Sequence, residues 1–99
     1  ITCMSEHKTL KVDKTLTIVN QRGLHARAAA KFAETISKFS CEVEVSKDKE
    51  IVSGNSIMGL LMLAASKGTT IQISMTGVDA ERAMQKVIEL VDNKFYEEE

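Results

Sequence analysis

Apolar side chains alternate with polar ones over some stretches of the chain and recur at helical spacing over others. Between Lys11 and Val19, Val12, Leu16 and Ile18 share parity and threonine is frequent, which predicts a first strand. Ala26 to Lys38 places Ala29, Phe32, Ala33 and Ile36 on one helical face, and alanine fills four of its first five positions. Cys41, Val43 and Val45 point one way and Glu42 and Glu44 the other, so Cys41 to Ser46 reads as a half-buried strand. Lys47-Asp48-Lys49 is a charged turn into a short returning strand, Glu50 to Ser53. Asn55 or Ser56 then caps a short apolar helix from Ile57 to about Ala65, which Lys67-Gly68 is expected to end. Ile71, Ile73 and Met75 alternate along a strand from Thr70 to Thr76. A last helix starts with Asp79 as N-cap and Glu81 in its first turn, and Ala83, Val87, Leu90 and Val91 form its buried stripe. Lys94 to Glu99 is expected to fray.

The order β-α-β-β-α-β-α, with strands that keep one polar face, predicts an α+β domain. It should be a two-layer open-faced β-sandwich: a four-stranded antiparallel sheet with three helices on one face. A length of 99 residues fits one domain. Residues 1–10 read as a flexible extension, 11–93 as the domain and 94–99 as an acidic, solvated tail.

Composition narrows the function classes. Thirteen basic and fourteen acidic residues leave no basic stripe, and four aromatic residues supply few stacking platforms, so nucleic acid is excluded as a partner. The longest apolar run, Ile57 to Ala65, is interrupted by Gly59 and is too short to span a membrane. The chain opens Ile1-Thr2-Cys3-Met4 without a signal-peptide pattern, Met4 is a candidate natural start, and the cytoplasm is the expected location. Cys3 and Cys41 make no disulfide framework. Cys3 with His7 lacks a second pair for a zinc site, and the parity of Cys41 with Val43 and Val45 favours a structural thiol over a nucleophile paired with His25.

The chemistry concentrates where the first strand hands over to the first helix, at Asn20-Gln21-Arg22-Gly23-Leu24-His25-Ala26-Arg27. His25 falls at the helix start, where unpaired backbone N–H groups make an anion site. Arg27 supplies a guanidinium that can hold a phosphoryl group through two hydrogen bonds, and Gly23 lets the chain turn just before the histidine. A histidine, an arginine and a helix N-terminus together can carry a phosphoryl group transiently. An ordinary cap histidine beside a solvated arginine would read the same from spacing alone.

Gly23-Leu24-His25-Ala26-Arg27 resembles the active-site motif of HPr, the histidine-containing phosphocarrier family of the bacterial phosphoenolpyruvate-dependent phosphotransferase system. Gly54-Asn55-Ser56-Ile57-Met58-Gly59-Leu60-Leu61 is similar to that family's serine-phosphorylation region, and the resemblance runs from about Lys11 to Val91. It implies a carrier, and not a free-standing enzyme, that accepts a phosphoryl group on His25 Nδ1 from enzyme I and passes it to an enzyme IIA-type protein. Arg27 would steady the group, and no metal or cofactor would be needed. Ser56 would be the target of a serine kinase/phosphorylase, although Asn55 replaces a lysine often found before that serine. Gly23, Leu24, Ile57, Met58, Leu60 and Leu61 would form the partner face, and Ile57, Met58, Leu60 and Leu61 cannot all turn inward from so short a helix. A monomer is expected. The chain has no proline, and the position after Arg27, where sugar-transport members commonly carry one, is Ala28. His25-Ala26-Arg27-Ala28-Ala29-Ala30-Lys31-Phe32 therefore looks more like the nitrogen-related, NPr-like branch. Two other readings stand beside the carrier: a small α+β regulatory domain that binds a metabolite or partner without phosphoryl transfer, and a purely regulatory relative acting through Ser56.

Overall fold

The computed structural model describes residues 10–97. The elements are β1 (Lys11–Thr17), α1 (Ala26–Ile36), β2 (Glu42–Lys47), β3 (Glu50–Ser53), α2 (Ile57–Met62), β4 (Thr70–Thr76) and α3 (Ala80–Asp92), with one further turn at Lys94–Tyr96. The predicted order stands. The strands lie in the order β1-β4-β2-β3 and every neighbouring pair is antiparallel. The connection through α1 therefore steps across β4, and the one through α2 steps across β2, giving two interlocked split β-α-β units.

Alternation along the strands builds the layer boundary. Val43, Val45, Ile71, Ile73 and Met75 are buried, whereas Glu42, Glu44 and Gln72 lie on the open face. Against the apolar face pack Ala28, Ala29, Phe32 and Ile36 of α1, Leu60 of α2, and Ala80, Ala83, Met84, Val87, Leu90 and Val91 of α3. Burying each of the larger of these side chains stabilises the fold by roughly 1.5–3 kcal/mol.

Several boundaries differ from expectation. Helix α1 ends at Ile36, where the N–H of Ser37 donates to the Ala33 carbonyl and that of Lys38 to the Thr35 carbonyl. Helix α2 stops at Met62, and Ala64 enters the left-handed region at φ 51°. Lys67-Gly68 thus does not end that helix; Gly68 lies in the connection to β4, its N–H donating to the Ile18 carbonyl at 2.8 Å. Asp79 is the N-cap residue of α3, as expected, but its side chain makes no cap bond, because its carboxylate accepts from the Ser40 N–H at 2.8 Å and from Arg82 at 3.1 Å. Cys41 sits just before β2, half-buried beside Gly77, and burial followed by the charge of Asp79 pushes its thiol up.

The largest departure is at the C-terminal end. Residues 94–97 do not fray. Phe95 is fully buried in the core, and Lys31 Nζ donates to its carbonyl at 2.6 Å. The extension at residues 1–9, with Cys3 and His7, and the last two glutamates, Glu98 and Glu99, lie outside the described residues.

Candidate functional site

The loop after β1 is held from two sides. Gly23 has φ +67°, and a Cβ there would stand 2.4 Å from the carbonyl oxygen of Ala65. Only glycine lets the loop approach that backbone so closely. Leu24 N–H then donates to the same Ala65 carbonyl at 2.9 Å, and the Leu24 side chain is buried. Asn20, fully buried, closes the loop from below: its carbonyl accepts from the Gly23 N–H at 3.2 Å and its Nδ2 donates to the Gly23 carbonyl at 2.8 Å. These contacts fix where the next residue, His25, meets the helix.

His25 is the N-cap of α1, in extended backbone, and its side chain makes no cap hydrogen bond. Its carbonyl accepts the first helical bond, from Ala29 N–H at 2.8 Å. The N–H groups of Ala26, Arg27 and Ala28 come before that bond and form the electropositive helix end. No acidic residue occupies the first turn to compete for it. Arg27 is exposed and has no hydrogen bond or ion pair with any described residue. A guanidinium free to swing beside an imidazole and three unpaired N–H groups can bind a dianionic group at short range.

The imidazole itself is engaged on one side only. Its Nε2 is hydrogen-bonded to the Glu97 carboxylate, with 22% of the His25 side chain and 8% of the Glu97 side chain exposed. Asn20 Nδ2 donates to the other oxygen of the same carboxylate at 3.1 Å. Burial pushes the Glu97 carboxyl up, but the hydrogen bonds from His25 and Asn20 and the charges of His25 and Lys31 outweigh it, so the group is held below the usual carboxylate range. His25 Nδ1 has no partner among the described residues.

Ser56 is the N-cap of α2, and its Oγ accepts from Gly59 N–H at 3.0 Å. Of the residues expected to form a partner face, Gly23, Leu24 and Leu60 are buried and Leu61 is half-buried against the core. Ile57 and Met58 are exposed, as is Met62, which the sequence reading did not single out. The connection that leaves α2 supplies the Ala65 carbonyl, so the loop before His25 is bonded to the segment that follows the apolar helix. Among the described residues no group of three His, Cys, Asp or Glu side chains could hold a metal ion, and no helix is long and apolar enough to cross a membrane.

Sequence reasoning missed Asn20, Ala65 and Glu97. Ala65 acts through backbone contacts that no local pattern encodes, and Asn20 acts through a side-chain amide shared between Gly23 and the distant Glu97. Glu97 depends on Phe95, and there a signal existed: the four-residue step from Val87 to Val91 continues to Phe95.

Residues 12–93 match the family model of the PTS HPr component phosphorylation site. The chain is 46% identical over 86 residues to the phosphocarrier protein HPr of Neisseria meningitidis serogroup A, covering 87% of this chain and 97% of that protein. It is 41% identical over 87 residues to the phosphocarrier protein NPr of Shewanella violacea, covering 88% and 96%. The crystal structure of HPr-C-His from Thermoanaerobacter tengcongensis superposes with a TM-score of 0.84 at 42% identity, over 89% of this chain and 99% of that one. By sequence and by fold, the chain belongs to the HPr family of phosphotransferase-system phosphocarriers.

Proposed function

We propose that His25 is the residue that carries the phosphoryl group, on Nδ1. The observation that carries this reading is the state of the ring: Nε2 is engaged by Glu97, Nδ1 has no partner among the described residues, and His25 is the N-cap residue at the electropositive end of α1. The donor is phosphorylated enzyme I, charged from phosphoenolpyruvate, and the acceptor is an enzyme IIA-type protein. In each step an imidazole nitrogen attacks phosphorus, the bond from phosphorus to the donor nitrogen breaks, and each ring keeps the proton on its other nitrogen. Arg27 and the first-turn N–H groups neutralise the phosphoryl oxygens. Their hold has to stay modest, because a carrier must release what it binds: donor and acceptor states need similar free energies.

Ile57, Met58 and Met62 form the docking surface beside this site, and flexible methionines suit a surface that meets more than one partner. Ser56 is a second phosphorylation site, for a serine kinase/phosphorylase. A phosphate on its Oγ would add about −1.5 to −2 charge at the edge of that apolar surface and weaken docking to enzyme I. Ala28 in place of proline favours the NPr-like, regulatory branch. The carrier acts as a cytoplasmic monomer.

Incubation with enzyme I and labelled phosphoenolpyruvate should give acid-labile, base-stable label on this protein and none on His25→Ala. Undiminished label on His25→Ala overturns the assignment. Ligand-dependent stabilisation without any labelling would favour a metabolite-binding role instead.

A further inference from the structure

The left-handed turn after α2 bears directly on the loop that carries His25. Helix α2 ends with Leu63 as its C-cap, and the next residue, Ala64, has φ 51°. Helices commonly place glycine at this position, because a Cβ crowds the backbone in that conformation. An alanine holds it only where its surroundings impose it. The geometry is needed one residue later. The Ala65 carbonyl accepts the Leu24 N–H at 2.9 Å, and Gly23 packs against the same oxygen. If Ala64 relaxed to a right-handed or extended conformation, the chain leaving α2 would take another direction and that carbonyl would leave the loop before His25. Downstream of Ala65 the connection is tied by ordinary bonds. Thr69 N–H and Oγ1 both donate to the Ser66 carbonyl, at 3.0 and 2.7 Å, and Gly68 N–H donates to the Ile18 carbonyl at 2.8 Å. The upstream side rests on a conformation that its residue disfavours.

One side chain reaches that turn from across the molecule. Lys47 is the last residue of β2 and is half-buried. Its Nζ donates to the Leu63 carbonyl at 3.1 Å and stands 3.5 Å from the Ala64 carbonyl. The Ala64 N–H bonds back to the Leu61 carbonyl at 3.1 Å, so both faces of the peptide units around Ala64 are engaged. The last carbonyls of a helix lack partners within it and carry partial negative charge, so an ammonium group there makes a charge-assisted hydrogen bond. Lys47 has no ion pair among the described residues, and no carboxylate competes for it.

We infer that Lys47 is a positioning residue for phosphoryl transfer. It clamps Ala64 in the left-handed conformation and thereby aims the Ala65 carbonyl at the loop before His25. This rests on His25 being the phosphoryl carrier. The path is short and runs through backbone: Lys47 Nζ to the end of α2, Ala64 to Ala65, the Ala65 carbonyl to the Leu24 N–H, and Leu24 to His25. Lys47 supplies no charge to the phosphoryl group. Its effect is on where the imidazole stands relative to the α1 N–H groups, and small displacements of a nucleophile cost rate steeply.

The test reads two quantities in the full chain: phosphoryl transfer from enzyme I, and solvent exchange of the Leu24 amide proton by NMR, which needs no phosphorylation. Lys47→Ala should speed that exchange and slow transfer, each by about tenfold, the scale of one lost hydrogen bond to a charged group. Lys47→Arg keeps a cationic donor and should stay close to wild type. Lys49 lies two residues on in the same hairpin, exposed and without a hydrogen bond or ion pair to any described residue. Lys49→Ala therefore removes the same charge without the clamp and should match wild type. The double variant Lys47→Ala/Ala64→Gly decides the mechanism. Glycine takes the left-handed conformation without steric cost, so it should bring both readouts back toward wild type in the absence of the lysine. A Lys47→Ala variant with wild-type exchange and transfer, or a double variant as slow as Lys47→Ala, overturns the inference. So does equal slowing by Lys47→Ala and Lys49→Ala, which would assign the effect to attraction between the hairpin's charge and the partner. Wild type that takes no label on His25 overturns the carrier assignment instead, and the Leu24 amide still tests the clamp.

Discussion

Replacing Gly23 with alanine separates the backbone's demand from the side chain's. Alanine at φ +67° costs roughly 1–2 kcal/mol for the left-handed conformation alone. Its methyl group would also stand 2.4 Å from the Ala65 oxygen and 2.8 Å from the Ser66 Cα, both backbone atoms that no rotamer change can move. The loop must therefore withdraw, and the 2.9 Å bond from Leu24 N–H to the Ala65 carbonyl weakens, for about 1 kcal/mol more. With partial re-exposure of buried Leu24, the loss comes to about 3 kcal/mol, a large share of the roughly 5–15 kcal/mol that holds a small domain. Gly68 supplies the control. It has φ +91°, but a Cβ there meets nothing within 4 Å, so Gly68→Ala should cost only the conformational part. Urea unfolding followed by circular dichroism should place Gly23→Ala about 2 kcal/mol below Gly68→Ala. Because the displaced loop also moves His25, Gly23→Ala should slow phosphoryl transfer in the folded protein while Gly68→Ala does not. Equal destabilisation by the two substitutions, with equal transfer rates, would refute the claim that backbone contact at Ala65 positions the site.

Arg27→Ala should slow transfer by tenfold or more while stability stays within about 0.5 kcal/mol of wild type, since the side chain is exposed and makes no pair with any described residue; rapid-quench transfer and urea midpoints measure the two. Ser56→Ala removes the cap on Gly59 N–H and should lower stability by about 1 kcal/mol, read from the same urea midpoints. The Glu97 carboxyl is held below its ordinary value, so the folded state binds its proton less readily than the unfolded state does. Its contribution is therefore complete above the ordinary value of 4.5 and is lost as pH falls through the lower folded-state value. Tyr96, the only tyrosine in a chain without tryptophan, reports this directly. Its fluorescence anisotropy should hold steady from neutral pH down to that range and drop below it, and Glu97→Gln should abolish the step.

What was legible in the sequence divides along a physical line. Strand parity and helical spacing are local, and they located all seven regular elements, because the same side chains that alternate in sequence are those that fill the core. Helix ends were less legible. Lys67-Gly68 has the composition of a C-cap, but Ala64 turns left-handed first, and the glycine serves the pairing of Gly68 with Ile18 instead. Asp79 has the composition of an N-cap, but Ser40 and Arg82 take its carboxylate. Each of these residues was read for its nearest use in sequence, and a partner three to fifty residues away claimed it. The same holds at the site. His25, Arg27 and the helix start are consecutive, so one short motif carried them. Asn20, Ala65 and Glu97 reach His25 or its loop through the fold, and the acidic end of the chain read as solvated because its anchor, Phe95, lies beyond the last regular helix.

That division bears on how a carrier site can be tuned. His25 and Arg27 stand two residues apart at the start of one helix, and the Gly23 turn with its contact at Ala65 sets where the histidine meets that helix. The ring's second nitrogen is held by a residue at the far end of the chain, through a turn that opposes its own backbone preference and depends on one buried aromatic ring. Replacing Phe95, Lys31 or Glu97 should therefore displace the carboxylate from the His25 ring while leaving the Gly23–Arg27 motif in place, and the ring's NMR signals would report that displacement.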